Sequence, residues 1–382
     1  MNIQTNPAVA SPVAQRAPEH IRAIRPYQPG KPIGELAREM GLSEADIVKL
    51  ASNENPLGMG LAARDAAAAA LADLARYPDG NGFELKEALS ARLGVGPEQI
   101  VLGNGSNDVL ELVAGALLGP GSSAVYAQYG FAVYPLATNA AGARGIEVAA
   151  RDFGHDLDAM AQAIAPDTRV VFIANPNNPT GTFLSGEEIE SFLGKVPVDV
   201  LVVLDEAYTE YLEAGQRYDS VAWIKRFPNL LVSRTLSKAY GLAGLRVGYG
   251  VGHPEVVDLL NRVRQPFNVS SVALAAAVAA LGDEDFLARS AELNRRGMAQ
   301  ITAALSELKL EWIPSAGNFV TFRVGDGAAM DAALLRRGVI VRPIGAYGLP
   351  EWLRVSIGLP EENARFIEAL KGGLAELRGE GG

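Results

Sequence analysis

The run Val200-Leu201-Val202-Val203-Leu204 carries apolar side chains at every position, with no polar alternate. Successive side chains of a strand point to opposite faces, so such a run suits a strand covered on both sides, as in a parallel sheet flanked by helices. Comparable β-branched runs recur at 100–102, 123–126, 169–174, 230–233 and 246–249. Between them, 109–118 and 186–193 have helical spacing, with Ser185 placed to cap the second and followed by Glu187 and Glu188. The alternation predicts an α/β fold with a mostly parallel, sequentially wound sheet flanked by helices.

After about residue 265 the texture changes to long helical stretches and then to alternating segments at 318–324, 339–343 and 351–357, the pattern of a smaller α+β domain. In the last segment Leu353, Val355 and Ile357 share one strand face, which puts Trp352, Arg354 and Ser356 on the other. The predicted division is an N-terminal arm and the start of the small domain over 1–52, a large domain over 53–265, and a small C-terminal domain over 266–382.

Composition excludes several classes of function. A net charge of -10 argues against a nucleic-acid surface, which needs a surplus of Lys and Arg. With no cysteine there is no disulfide framework, thiolate metal site or cysteine nucleophile. His20, His155 and His253 are scattered, lack ligand spacing, and read as surface or loop residues without chemistry, so no metal is expected. Residues 1–19, with Pro7, Pro12 and Pro18, read as a flexible arm rather than a secretory signal. No stretch reaches the roughly 18 to 20 apolar residues of a membrane span. A soluble, cytoplasmic protein acting on small molecules is the expectation, with no membrane or nucleic-acid partner.

Ligands of open α/β sheets bind beyond the carboxyl ends of the strands, so the residues following each apolar run matter most. Asp205, Glu206 and Tyr208 follow 200–204, and two carboxylates at the mouth of a buried strand need partners. An Asp capping a turn is the plainer reading. Lys238 weighs against it: the segment Ser233-Arg234-Thr235-Leu236-Ser237-Lys238, followed by Gly241, Gly244 and Arg246, groups hydroxyls, glycines and a guanidinium suited to a phosphate, beside a lysine that desolvation would make nucleophilic. Gly103-Asn104-Gly105-Ser106-Asn107 lies between a strand and a helix, where backbone N–H groups can face an anion. It matches neither a Walker loop nor the dinucleotide fingerprint, whose third glycine is replaced by Asp108. Asn175-Pro176-Asn177-Asn178-Pro179-Thr180-Gly181 is a turn whose prolines fix the backbone while Asn178 projects an amide; a mere reversal would not call for three asparagines.

Taken in order and spacing, 175–181, 205–208 and 237–246 resemble the fold-type I pyridoxal-phosphate aminotransferases. Within them, Tyr27, Ala51-Ser52-Asn53-Glu54-Asn55-Pro56, Arg76-Tyr77-Pro78-Asp79-Gly80 and Leu353-Arg354-Val355 are similar to the histidinol-phosphate aminotransferases. The resemblance implies pyridoxal 5′-phosphate bound by Lys238 as a Schiff base, with Asp205 on its ring nitrogen and Asn178 and Tyr208 on its ring hydroxyl. It implies a phosphate cradle of Gly105, Ser106, Thr235, Ser237 and Arg246, completed by Tyr77 from the partner of a homodimer. Phe131 aligns with the ring-stacking aromatic, Tyr129 being the rival. Tyr27, Asn53, Asn178, Arg342 and Arg354 would bind substrate, the paired arginines suiting a dianionic phosphate. The acidic residue of the family's glycine-serine turn is Asn107 here.

The implied activity interconverts L-histidinol phosphate and 2-oxoglutarate with imidazole acetol phosphate and L-glutamate, by ping-pong kinetics. An aromatic amino-acid aminotransferase, an amino-acid-phosphate decarboxylase and a non-catalytic binding module remain as alternatives.

Overall fold

The computed structural model describes residues 11–26 and 30–379. Its centre is a seven-stranded sheet in the order Ile100–Gly103, Gly248–Val251, Leu230–Thr235, Leu201–Asp205, Thr168–Ala174, Ser123–Ala127, Arg144–Val148. Only Gly248–Val251 runs antiparallel to its neighbours; the other pairings are parallel. Leu201–Asp205 is buried throughout, as the unbroken apolar run requires, and its alternate residues feed two cores, Val202 and Leu204 on one face, Leu201 and Val203 on the other. The apolar segment at 246–249 is displaced from its predicted place. Arg246 closes a short helical turn at φ 56°, and the strand begins at Gly248. The edge strand Arg144–Val148 escaped prediction because it is only partly buried and carries no continuous apolar run.

Helix Gly186–Leu193 starts at Ser185, whose hydroxyl accepts from the Glu188 amide while Glu188 returns to the Ser185 amide, a reciprocal capping box. Helix Ser106–Leu117 begins three residues before the expected 109, so that the glycine turn leads directly into its first turn.

The smaller sheet is antiparallel, in the order Arg342–Pro343, Trp352–Ser356, Phe319–Arg323, Trp312–Ile313. Leu353, Val355 and Ile357 enter its core, and Arg354 lies on the opposite face, as the two-residue period predicted. Val48–Lys49 pairs in parallel with Val339–Ile340, and Leu50 packs with Val320 and Phe366, so the N-terminal segment joins this core.

Two expectations need correction. The described part of the arm is not featureless: Pro12–Arg16 and Glu19–Ala23 are single helical turns, neither burying a side chain. His155 is buried, its Nε2 accepting from the Ala174 amide at 3.3 Å, and burial lowers its pKa to about 4. Among the described residues no helix is long and apolar enough to cross a membrane, and no cluster of side chains could hold a metal ion.

Candidate active site

A cavity of about 200 Å³ opens where the strand ends at Ala174, Asp205 and Thr235 meet the N-terminal segment and the smaller sheet. It is lined by Asn53, Ser106, Phe131, Asn178, Asp205, Tyr208, Thr235, Ser237, Lys238, Arg246, Arg342 and Arg354, residues separated by up to three hundred positions in sequence. Tyr27 falls outside the described residues. Tyr77 is not in this cavity; it is 82% exposed and stacks on Phe267 with ring centroids 4.7 Å apart.

Lys238 holds the floor. Its ammonium donates to the Ser52 carbonyl at 3.0 Å and lies 5.9 Å from the centre of the Tyr208 ring. Burial, helped by the Arg354 and Arg246 cations, lowers its pKa to about 8, against the opposing pull of Glu54 and Asp205. An amine poised there is available as both nucleophile and base near neutral pH.

Asp205 is 5% exposed, and burial raises its pKa to about 6. The Tyr134 hydroxyl opposes that shift by donating to Oδ2 at 3.0 Å, and Tyr134 is itself fixed by stacking on Phe172 at 4.8 Å. Oδ1 is buried with no hydrogen-bond partner. A buried carboxylate oxygen left so is costly, and its natural complement is a cationic N–H donor.

The anion end is built from the glycine turn and the segment after Thr235. Gly105 has φ +81°, and a Cβ there would run into the Arg246 guanidinium. Its amide donates to the Gly103 carbonyl at 2.8 Å, so the turn's contribution to the cavity is Ser106, the first residue of the following helix, rather than the Gly105 N–H. Arg246 Nη1 donates to Ser237 Oγ at 3.3 Å, and the Ser237 amide donates to Thr235 Oγ1 at 3.1 Å. A helix N-terminus, hydroxyls and a guanidinium thus converge as an anion cradle. Asn107 lines the cavity while Asp108 is committed to the turn, accepting from the Asn104 amide and from Asn268, both at 2.7 Å.

Opposite lie the two arginines. Arg354 donates through Nη1 to Asn178 Oδ1 and through Nη2 to the Ala51 carbonyl, the latter at 2.7 Å, while its guanidinium lies 5.2 Å from the centre of the Phe319 ring. Arg342 is its cross-strand partner. Tyr208 accepts from Asn53 Nδ2 at 2.9 Å, and burial pushes its pKa up to about 12. Asn53 is held at φ 54° by Ser356, which accepts from its amide and donates to its Oδ1.

The 175–181 turn explains its own asparagines. Asn175 exchanges bonds with both backbone groups of Leu184, Asn177 donates to the Tyr129 carbonyl and Thr180 Oγ1, and Asn178 alone faces the cavity. Phe131 lines the cavity, whereas Tyr129 packs with Phe153 at 6.1 Å in a satellite cluster. Sequence reasoning missed Tyr134, Ser52 and Tyr347. Tyr134 lies on a helix with no motif, and Tyr347 lies in the glycine-flanked turn Gly345–Tyr347, a few residues beyond Arg342.

A family model described as Aminotransferase class I and II matches residues 45–370, and the chain belongs to that class. Histidinol-phosphate aminotransferase 1 of Cupriavidus pinatubonensis is 68% identical over 361 residues, covering 94% of this chain and 96% of that relative. The protein of the same name from Thiobacillus denitrificans is 68% identical over 366 residues, with coverage of 96% and 95%. Among solved structures, histidinol-phosphate aminotransferase from Sinorhizobium meliloti in complex with pyridoxal-5′-phosphate superposes with a TM-score of 0.86 at 28% identity, covering 95% of this chain and 98% of that one. Within its class the chain belongs to the histidinol-phosphate aminotransferases.

Proposed function

We propose that this protein binds pyridoxal 5′-phosphate and, in the cytoplasm, transfers an amino group between L-histidinol phosphate and 2-oxoglutarate, a step of histidine biosynthesis. The observation that carries the reading is the single cavity that combines a buried lysine of lowered pKa, a buried carboxylate oxygen without a partner, and an anion cradle. The residues fit the cofactor on chemistry alone. Lys238 would be its covalent anchor, Asp205 Oδ1 would accept from the ring nitrogen, and Ser106, Thr235, Ser237 and Arg246 would hold its phosphate. Phe131 would cover the ring, and Asn178 and Tyr208 would meet its hydroxyl. When bound, the cofactor supplies an electron sink for the substrate Cα.

The chain's own residues supply the rest. The Lys238 amine would carry a proton from the substrate Cα to the cofactor carbon that it anchors, serving as base and then acid from one position. Asp205, kept charged by Tyr134, holds a positive charge on the ring side. Arg354 and Arg342 present forked donors to the far end of the substrate. Histidinol phosphate carries a phosphate and no carboxylate, glutamate carries carboxylates and no phosphate, and a pair of guanidiniums can receive either anion in turn. Tyr27 and Asn53 complete the substrate set in this reading. Two substrates sharing one site in alternate half-reactions predict ping-pong kinetics.

We propose also that the enzyme is a homodimer in which Tyr77 reaches the partner's cofactor phosphate. Leu57, Leu61, Leu71, Leu74 and Tyr77 are large exposed apolar side chains within one stretch of the chain, and Phe267, also exposed, stacks on Tyr77, which supports a covered interface there. A division at 52/53 and 265/266 is proposed as well; Leu50 joins the core of the smaller sheet, whereas helix Ser271–Leu281 packs in the same core as Val202 and Leu230, which moves the second boundary beyond it.

The test is single-turnover absorbance of cofactor-loaded protein with L-histidinol phosphate and, separately, L-phenylalanine. Rapid loss of the lysine-bound cofactor band with histidinol phosphate alone supports the phosphate-specific reading. Equal conversion by both points to a broad aromatic aminotransferase, and conversion by neither overturns transamination.

A further inference from the structure

Asp205 has a like-charged neighbour for which the reaction has no use. Strand alternation sends Asp205 and Thr235 to one face of the sheet, and Glu206 and Arg234 to the other. There Glu206, only 1% exposed, accepts on one oxygen from Arg234 Nε at 2.9 Å and Nη2 at 2.8 Å. Asp205 is the register partner of Ser233, so Glu206 and Arg234 follow on adjacent strands and the pair bridges their carboxyl ends. The layer extends sideways. Asn175 donates to the Tyr218 hydroxyl at 2.8 Å, Tyr218 stacks on Trp223 at 5.2 Å, and the same phenol is close enough to Glu206 to feel its charge. Three components of this layer are chain neighbours of cavity residues: Asn175 heads the turn of Asn178, Glu206 follows Asp205, and Arg234 precedes Thr235.

We propose that the Glu206–Arg234 pair is a positioning and charge-balancing layer for the active site, in which Arg234 offsets the Glu206 charge and Asp205 is the anion that faces the cavity. The proposal rests on the cofactor reading above. The other groups facing the pair do not substitute for Glu206. The Glu210 carboxyl is pushed by burial to a pKa of about 7, Arg92 is committed to Glu284, and Tyr240 and Tyr249 are raised by burial and stay neutral. From the cavity side Asp205 meets Tyr134, Lys238 and Tyr208, none of which supplies a second anion.

The experiment uses full-length, cofactor-loaded protein as wild type, Glu206→Gln, Arg234→Gln and the double variant, and reads the pH midpoint of the lysine-bound cofactor band. Glu206→Gln leaves an unbalanced cation beneath Asp205, which disfavours the protonated cofactor, so the midpoint falls by about one pH unit. Arg234→Gln leaves an unbalanced anion and raises it. The double variant is neutral and returns to the wild-type midpoint. A layer that matters only for packing predicts a double variant at least as perturbed as the singles, and that result, or single variants with unmoved midpoints, overturns the proposal. If a single variant does not fold, Glu206→Met or Arg234→Met takes its place in the same comparison, and an unmoved midpoint there refutes charge balance. Wild-type protein that fails to take up pyridoxal phosphate refutes the cofactor reading instead, so the two failures are distinct.

Discussion

Replacing Tyr134 with Phe removes one oxygen and keeps the ring on Phe172, so the change falls almost wholly on Asp205. The Tyr134 hydroxyl is the side-chain donor to that carboxylate, at 3.0 Å in a fully buried setting. A hydrogen bond to a charged group contributes about 1.5 to 3 kcal/mol. Each pKa unit corresponds to about 1.4 kcal/mol, so the Asp205 pKa should rise by about one to two units from its present value of about 6. Cofactor binding needs Asp205 ionised to accept from the ring nitrogen, and its affinity should fall as pH drops through this pKa. In the wild type that decline is centred near 6; in Tyr134→Phe it should move to about 7 to 8. At pH 7 the variant should bind pyridoxal phosphate roughly two- to ten-fold more weakly, and by pH 9 the two proteins should be nearly equal. Fluorescence titration of cofactor-free protein across this range, with unfolding temperature as the control for fold, measures it. An affinity profile whose midpoint stays near 6 would refute the assignment of Asp205, or of Tyr134 as its tuner. A uniform loss at all pH values would mean that the variant disturbs packing instead.

Lys238→Ala should lose turnover by several orders of magnitude while keeping the wild-type unfolding profile, and measurable steady-state transamination would count against its role. In Arg354→Lys a point charge replaces a fork that now holds Asn178 and the Ala51 carbonyl together, so kcat/KM should drop about 30- to 100-fold in both half-reactions, with the KM values carrying most of it. Tyr347→Phe should raise KM for histidinol phosphate about three- to ten-fold with little change in kcat if its hydroxyl meets the substrate, and an unchanged KM would confine Tyr347 to packing. In the cofactor-free protein Asp205 holds its proton more tightly than in the unfolded chain, so this carboxylate favours folding at low pH and loses that contribution as pH rises from about 4 through about 6. Cofactor should therefore raise the unfolding temperature more at pH 8 than at pH 5, which differential scanning calorimetry would show.

What could be read from the sequence follows from how each residue acts. Strands buried on both faces announce themselves as unbroken apolar runs, and the residues at their carboxyl ends, Asn178, Asp205 and Lys238, inherit a position from the topology before any contact is known. Arg354 was placed on the correct face of its strand because a period of two needs no tertiary information. Residues that act from helices or turns carry no such signature. Tyr134 matters because Phe172 and Asp205 happen to flank it, and Tyr347 because its turn packs at the cavity wall, facts that belong to packing rather than to spacing. The same distinction separates Asp205 from Glu206. In sequence they are one acidic doublet, and only the pleat decides that the first faces the cavity while the second faces Arg234. At the end of the strand, one more residue of alternation separates the carboxylate that faces the cavity from the one that pairs with Arg234 on the opposite face. A one-residue slip of that strand would therefore exchange their roles and remove the reactive site, which ties the register of a buried strand directly to the chemistry above it.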